Sequence, residues 1–206
     1  MFDILSGAAR VSLVLFVLCG FAYPLTLTML AQQFMPFQAN GSLIRDDHGA
    51  VLGSQLIGQQ WNDPQWFHGR PSATTAADPN DPTKTIPAPY NAANSSGSNL
   101  GPTSKALEDR LVNDWKALDD VDPDVTRNAL PADMLTTSGS GLDPDISPAN
   151  AALQVKRVAK IRGVPPERVA ALVDRHVTAR TLGVLGEPRV NVLQLNLALA
   201  KEFPMK

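Results

Sequence analysis

The chain has 206 residues, a formal charge of −2, 6% aromatic residues, 17 prolines and 14 glycines. That is room for one ordinary domain plus an anchor, and the near-balanced charge lacks the basic footprint that a nucleic-acid partner would require. Its one cysteine, Cys19, lies inside an apolar stretch, which leaves the rest of the chain without a thiol for a disulfide, a redox pair or a thiolate metal site.

Residues 11–30 read VSLVLFVLCGFAYPLTLTML and carry no charge. As a helix rising about 1.5 Å per residue, they span roughly 30 Å, the thickness of a bilayer's hydrocarbon core. Pro24 removes one helix hydrogen bond and predicts a kink. A cleaved signal peptide would have a shorter apolar core and a small-x-small cleavage site, and Thr28-Met29-Leu30-Ala31 lacks the two small residues. The run therefore reads as a retained anchor: residues 1–10 as a short cytoplasmic N-terminus, 11–31 as the transmembrane helix, and 32–206 as an extracytoplasmic domain. The direction rests on Arg10 before the span against Arg45 as the first basic residue after it.

Gly41-Ser42-Leu43-Ile44 and residues 51–58 read as two strands around the turn Asp46-Asp47-His48-Gly49. Residues 74–102 shift to Asp, Pro, Asn, Ser and Thr and read as a long irregular loop, with Asp78-Pro79-Asn80-Asp81-Pro82 excluded from regular structure. Thr103 or Ser104 caps a helix running to about Leu118, with Leu107, Leu111, Trp115 and Leu118 at helical spacing. Residues 133–137 read as a short strand and 138–144 as a turn. Ser147-Pro148 starts a helix by a hydroxyl cap and a proline at the first helical position. That helix ends at Gly163, and Lys156, Arg157, Lys160 and Arg162 form a solvated basic face near its C-terminus. A second helix follows over 166–176, and 189–197 alternates polar and apolar residues as a half-buried strand. The elements do not follow a βαβ rhythm, which predicts α+β: one N-terminal transmembrane helix followed by a single mixed domain.

No motif carries catalysis. Ser138-Gly139-Ser140-Gly141 falls short of G-x-S-x-G because Ser138 occupies the first glycine's place, and His48, His68 and His176 lack a recognisable context as bases. Asp143 and Asp145 offer two carboxylates where a calcium loop needs more oxygens, and capping of the following helix explains them equally well. The two helices after residue 148 only superficially suggest a DNA-reading motif, since the second is not basic. Ser95-Ser96-Gly97-Ser98-Asn99 invites comparison with the nucleotide-contacting LSGGQ signature, but Ser98 replaces its second glycine and Asn99 its glutamine, and the chain has no phosphate-cradling loop followed by lysine. Two readings of other classes stay open: a membrane-anchored extracytoplasmic hydrolase, which needs a nucleophile–base pair around Ser140, and an anchored solute-binding protein, which needs a deep pocket with convergent polar groups.

Several segments in order resemble the C subunit of Kdp-type potassium-transporting ATPases. They are the span with Tyr23-Pro24, Ala39 to Ile44, Gly53 to Gln59, Phe67-His68-Gly69-Arg70-Pro71-Ser72-Ala73, Tyr90-Asn91 and Ser98-Asn99-Leu100-Gly101-Pro102. Further on come Thr137 to Pro148, Gln154-Val155, Arg157-Val158-Ala159 and Leu185-Gly186-Glu187-Pro188-Arg189-Val190-Asn191-Val192-Leu193. The chain departs from the family pattern at Asp145, where histidine is usual, at Ser96, where glycine is usual, and at 78–87, which has the character of an insertion.

The resemblance implies a bacterial inner-membrane protein that is not itself an enzyme. Its implied partners are a potassium-binding channel-like subunit, a P-type ATPase subunit and a small single-span subunit. It also implies a catalytic-chaperone role that raises the pump subunit's ATP affinity, with Ser95, Ser96, Gly97, Ser98 and Asn99 as the implied nucleotide contacts. No cofactor or metal of the chain's own is expected. Candidate partner-contact positions are Gly20, where a small residue permits close helix approach, Pro24, Arg70, whose backbone Gly69 and Pro71 restrict, and Asn99.

Overall fold

The computed structural model describes residues 2–121 and 126–205. The chain divides into two compact units, residues 1–54 and 55–206. In the first, α1 (Phe2–Val17) and α2 (Tyr23–Phe34) belong to one continuous helix, Phe2–Phe34, long and apolar enough to cross a membrane. It extends beyond the expected span, 11–31, at both ends, and none of its residues is buried. The disturbance expected at Pro24 takes the form of a π-helical turn, Leu18–Ala22, immediately before it, in which Tyr23 donates its N–H to the Leu18 carbonyl. Widening the helix here accommodates the hydrogen bond that proline cannot make. Gly20 lies inside this turn.

After the short α3 (Pro36–Ala39), β1 (Leu43–Arg45) and β2 (Val51–Ser54) form an antiparallel hairpin. The Asp46 carboxylate closes its turn by accepting the His48 and Ala50 N–H groups at 2.9 and 2.8 Å. The second strand stops at Ser54, short of the expected 58.

The second unit is α+β, as the order of elements predicts. An antiparallel sheet in the order β5–β7–β6 is built from β5 (Asp145–Ile146), β6 (Val177–Thr178) and β7 (Arg189–Asn191). The core is assembled from this sheet and from α5 (Pro148–Arg162), α6 (Pro166–Arg175) and α7 (Val192–Glu202). Ala151, Val155 and Val158 of α5, Val169 and Leu172 of α6, and Leu195 and Leu199 of α7 are buried, with Ile146 and Val190 from the sheet and Phe67 from a loop. α5 starts where its signals place it. Ser147 Oγ accepts the Asn150 N–H, and the Asp133 carboxylate accepts from Ser147 N, Ser147 Oγ and Asn150 Nδ2 at 2.7, 2.9 and 3.1 Å. The carboxylate at this cap is therefore Asp133, not Asp143 or Asp145. α4 (Lys105–Val121) matches its predicted start and half-buries Leu107, Leu111, Trp115 and Leu118.

Three expectations are corrected. Residues 75–87 are not irregular: β3 (Thr75–Asp78) and β4 (Asp81–Pro87) form an antiparallel hairpin around Pro79-Asn80. A two-stranded sheet leaves one edge of β4 without a partner, so Pro82 fits there despite lacking an N–H, and Asp78 Oδ1 holds the turn by accepting the Asn80 N–H at 2.8 Å. Residues 132–134 form a 3₁₀ turn rather than a strand, with Asp133 committed to the α5 cap. Residues 189–197 do not continue as a strand. β7 ends at Asn191, whose side chain accepts the Gln194 N–H and caps α7. From there Val192, Leu195 and Leu199 align on one helical face.

Candidate functional site

The Trp-Asn-Asp-Pro-Gln-Trp-Phe-His-Gly-Arg-Pro stretch starting at Trp61 has no backbone partner strand, yet Phe67 is fully buried. Buried N–H and C=O groups must find partners, and here the helices supply them through side chains. The Asn196 amide of α7 accepts the Phe67 N–H and donates to the Phe67 carbonyl, both at 2.9 Å, reproducing a strand's pairing with one side chain. Gln154 of α5 does the same for His68, at 2.8 and 3.1 Å, and donates to Asn150 Oδ1 at 2.7 Å.

Arg157 donates to the carbonyls of Pro64 and Trp66 and to Gln154 Oε1. Arg162 donates to Gln65 O and Phe203 O, its guanidinium lying 4.5 Å from the Trp66 ring centroid. The basic cluster read as a solvated face is therefore corrected in these two positions: Arg157 is buried and Arg162 half-buried, because their planar forks fit backbone carbonyls.

This clamp presents Arg70. Its Nη1 binds Asp143 Oδ2 at 2.9 Å, and Nη2 reaches the Thr136 and Thr137 carbonyls at 3.5 and 3.3 Å. The Arg70 carbonyl accepts the Tyr90 hydroxyl at 2.7 Å. Burial, with the Asp143 carboxylate nearby, pushes the Tyr90 phenol up to about 12, so it remains a neutral donor. Arg70 thus joins the loops at 70, 90, 136 and 143 within its own unit. Arg70→Lys keeps the charge and loses the fork. We expect a loss of about 1.5–3 kcal/mol in thermal or denaturant unfolding of the full chain in detergent, the scale of charged hydrogen bonds; an unchanged midpoint would show that one ammonium replaces all three contacts.

The Ser95–Asn99 segment lies against the glycine-serine turn at 137–141. Ser95 Oγ donates to Ser140 O at 3.0 Å, and Thr137 Oγ1 to Ser98 Oγ at 3.3 Å. A Cβ on Gly97 would fall 2.9 Å from Gly139 O, so the glycine is needed for close approach of two backbones. Asn99 is exposed and left-handed at φ 52°. Ser72 ties this region to the rest: its Oγ donates to Gly141 O at 2.7 Å and accepts the Tyr90 N–H at 3.0 Å.

A cavity of about 400 Å³ opens beside the clamp. Arg70, Tyr90 and Trp61 line it, with Gln154, Arg157 and, from α4, Asp114. Burial raises the Asp114 carboxyl above its ordinary value, against the Arg110 charge beside it.

The candidate bases and nucleophile do not assemble. Ser140 Oγ accepts the Leu142 N–H and meets Ser138 Oγ. The rings of His68 and His176 meet the Asp63 and Leu172 carbonyls, and His48 lies in the hairpin turn of the first unit, where its backbone N–H binds Asp46. Asp143 pairs with Arg70 and Asp145 with Arg189, and among the described residues no three His, Cys, Asp or Glu side chains form a metal-holding group.

Burial first, then the Arg157 charge, holds His68 below its ordinary value of 6.5. A depressed pKa makes its contribution to stability present above pH 6.5 and lost as pH falls from there through the folded-state value, because the unfolded chain protonates first. We expect His68→Gln to flatten the wild-type loss of stability below pH 6.5 in unfolding measured across pH; identical profiles would place the loss elsewhere.

Sequence reasoning missed Gln154, Asn196 and Asp133, whose partners lie far away in the chain. The available signal was an amide amid apolar helical residues, as in Leu195-Asn196-Leu197. Gly20 and Pro24 sit in the exposed apolar helix, in the first unit, while Arg70 and the 95–99 loop share the network of the second.

Residues 5–201 match the family model described as KdpC: K+-transporting ATPase, c chain. Among curated proteins, the chain is 61% identical over 187 residues to the potassium-transporting ATPase KdpC subunit of Bradyrhizobium diazoefficiens, covering 91% of each. It is 60% identical to that of Rhodopseudomonas palustris over 91% of this chain and 92% of the relative, and 58% identical to that of Methylobacterium nodulans over 89% of each. The ordered motifs, the apolar helix long enough to cross a membrane and the matches across nearly the whole length agree: the chain belongs to the KdpC family, the c chain of potassium-transporting ATPases.

Proposed function

We propose that this chain is a non-catalytic accessory subunit of an ATP-driven potassium uptake complex in the bacterial cytoplasmic membrane, with its N-terminus inside and the unit 55–206 outside. Its partners are a potassium-binding channel-like subunit, a P-type ATPase subunit and a small single-span subunit, and its work is to assemble and stabilise them from the outer face. The observation that carries the reading is the family match running from residue 5 to 201. It is supported by an uncharged stretch, all of it in an exposed helix, whose flanking bases favour N-terminus in.

An outward domain cannot touch cytoplasmic ATP. Any effect on the pump subunit's ATP affinity therefore passes through the complex as a coupling between its states, typically about 1–3 kcal/mol, or 5–150-fold in affinity. The internal engagement of Ser95 and Ser98 supports this indirect route. Protease added to intact spheroplasts should remove the unit 55–206 and leave the N-terminus protected; a protected C-terminal unit sinks the orientation. In the assembled complex, changes at Ser95 to Asn99 should leave the ATP concentration for half-maximal turnover unchanged. A shift of about tenfold or more would assign this segment a part in setting that affinity, against this reading.

A further inference from the structure

Between β6 and β7 the chain makes a tight protruding turn, residues 181–186, with Thr181 bridging Leu185. Thr181 N–H donates to Leu185 O and Leu185 N–H to Thr181 O, both at 2.9 Å, and the Gly183 N–H donates to Arg180 O at 3.0 Å. Its three large apolar side chains face solvent: Leu182 is 87% exposed, Val184 71% and Leu185 58%. Leu182 holds a left-handed φ of 55°. A bulky apolar residue is disfavoured there, where asparagine or glycine would be at ease. A strained, fixed and solvent-facing leucine does nothing for the core, which points to a use outside the chain.

We propose that the 182–185 tip is an apolar knob that seats in a shallow aliphatic pocket on the outer face of a membrane-embedded subunit of the same transporter. The proposal rests on the accessory-subunit reading and names the contact by which the outer unit holds its partner. Three side chains fall far short of the roughly 800 Å² per partner that a free-standing interface buries. The tip therefore cannot recruit a second copy or a diffusing protein alone; it suits a partner already kept close by another link, which the membrane helix Phe2–Phe34 supplies as effective concentration.

The bilayer itself is a poorer occupant. The tip has no tryptophan or tyrosine to settle at the headgroups. Its base carries the Arg180–Glu187 pair at 2.6 Å rather than a basic cluster, and Glu187 would be repelled by anionic lipid. The same self-neutralised pair lets the rim of the partner's pocket be uncharged. The bridged turn is preorganised, so little ordering is lost on docking.

The test uses the full chain in membranes that make the complete complex. A photo-reactive benzoylphenylalanine in place of Val184 should, on irradiation, yield an adduct with a membrane-embedded subunit. Leu182→Asn should lower the partner subunits retained with the tagged chain by about tenfold, the scale of a truncated interface anchor. Its thermal midpoint should stay at or above wild type, because asparagine suits the left-handed backbone. An adduct with lipid, with a second copy or with nothing overturns the proposal, as does full retention by Leu182→Asn. A wild-type chain that captures no transporter subunit overturns the accessory-subunit reading and the knob with it. A wild-type chain that captures them while the variants behave as wild type overturns the knob alone.

Discussion

Asn196→Leu should be among the most destabilising single changes in this chain. The leucine fits a helix and approximates the volume, so neither propensity nor a large cavity explains the expected effect. What is lost is the partner of two backbone groups of a fully buried residue: the Phe67 N–H and C=O, each 2.9 Å from the Asn196 amide. Leaving a buried polar group unsatisfied costs about 1–3 kcal/mol, and two such groups give roughly 2–6 kcal/mol. Denaturant unfolding of the full chain in detergent, followed by tryptophan emission to which Trp61 and Trp66 of this loop contribute, measures it. A loss below about 1 kcal/mol would mean that the loop re-pairs elsewhere and that α7 does not hold it.

Gly141→Ala is the second large effect. Gly141 has φ +68°, and a Cβ there would lie 2.6 Å from Ser96 O and collide with the Thr74 methyl. The left-handed backbone costs a non-glycine residue about 1–2 kcal/mol, and overpacking against a backbone carbonyl adds about 1–3 kcal/mol. The strain falls on the contact between the 95–99 and 137–141 loops, so limited proteolysis should open first there. Gly139→Ala, two residues away, meets nothing within 4 Å and should change stability by less than about 1 kcal/mol. Equal midpoints for the two variants would contradict the close packing of these loops.

Those two residues also mark what could and could not be read from the amino-acid order. The starts of α4 and α5 and the span of α6 were legible because their signals are local: a hydroxyl cap, a proline at the first turn, a glycine at the end and leucines at helical spacing. The membrane helix was legible from its length without charge. α7 was not, since Leu193, Leu195, Leu197 and Leu199 satisfy a strand's period of two as well as a helix in which most positions are apolar. Only Phe67, far away in the chain, makes Asn196 an inward residue. The same distance hid the partner of Arg70: its restricted backbone was visible in Gly69-Arg70-Pro71, whereas Asp143 and the carbonyls at 136 and 137 come from another loop. The 75–87 hairpin was obscured by its prolines, which an edge strand tolerates.

The central claim is that this chain works as a subunit within a potassium-transporting assembly. Its most direct test is capture of the full-length tagged chain, at native expression, from membranes solubilised in a mild detergent. The account predicts that a channel-like potassium-binding subunit and a P-type ATPase subunit co-purify with it in a fixed ratio, and that the purified material hydrolyses ATP in response to potassium. A chain that emerges alone from membranes in which those subunits are present and intact would contradict it.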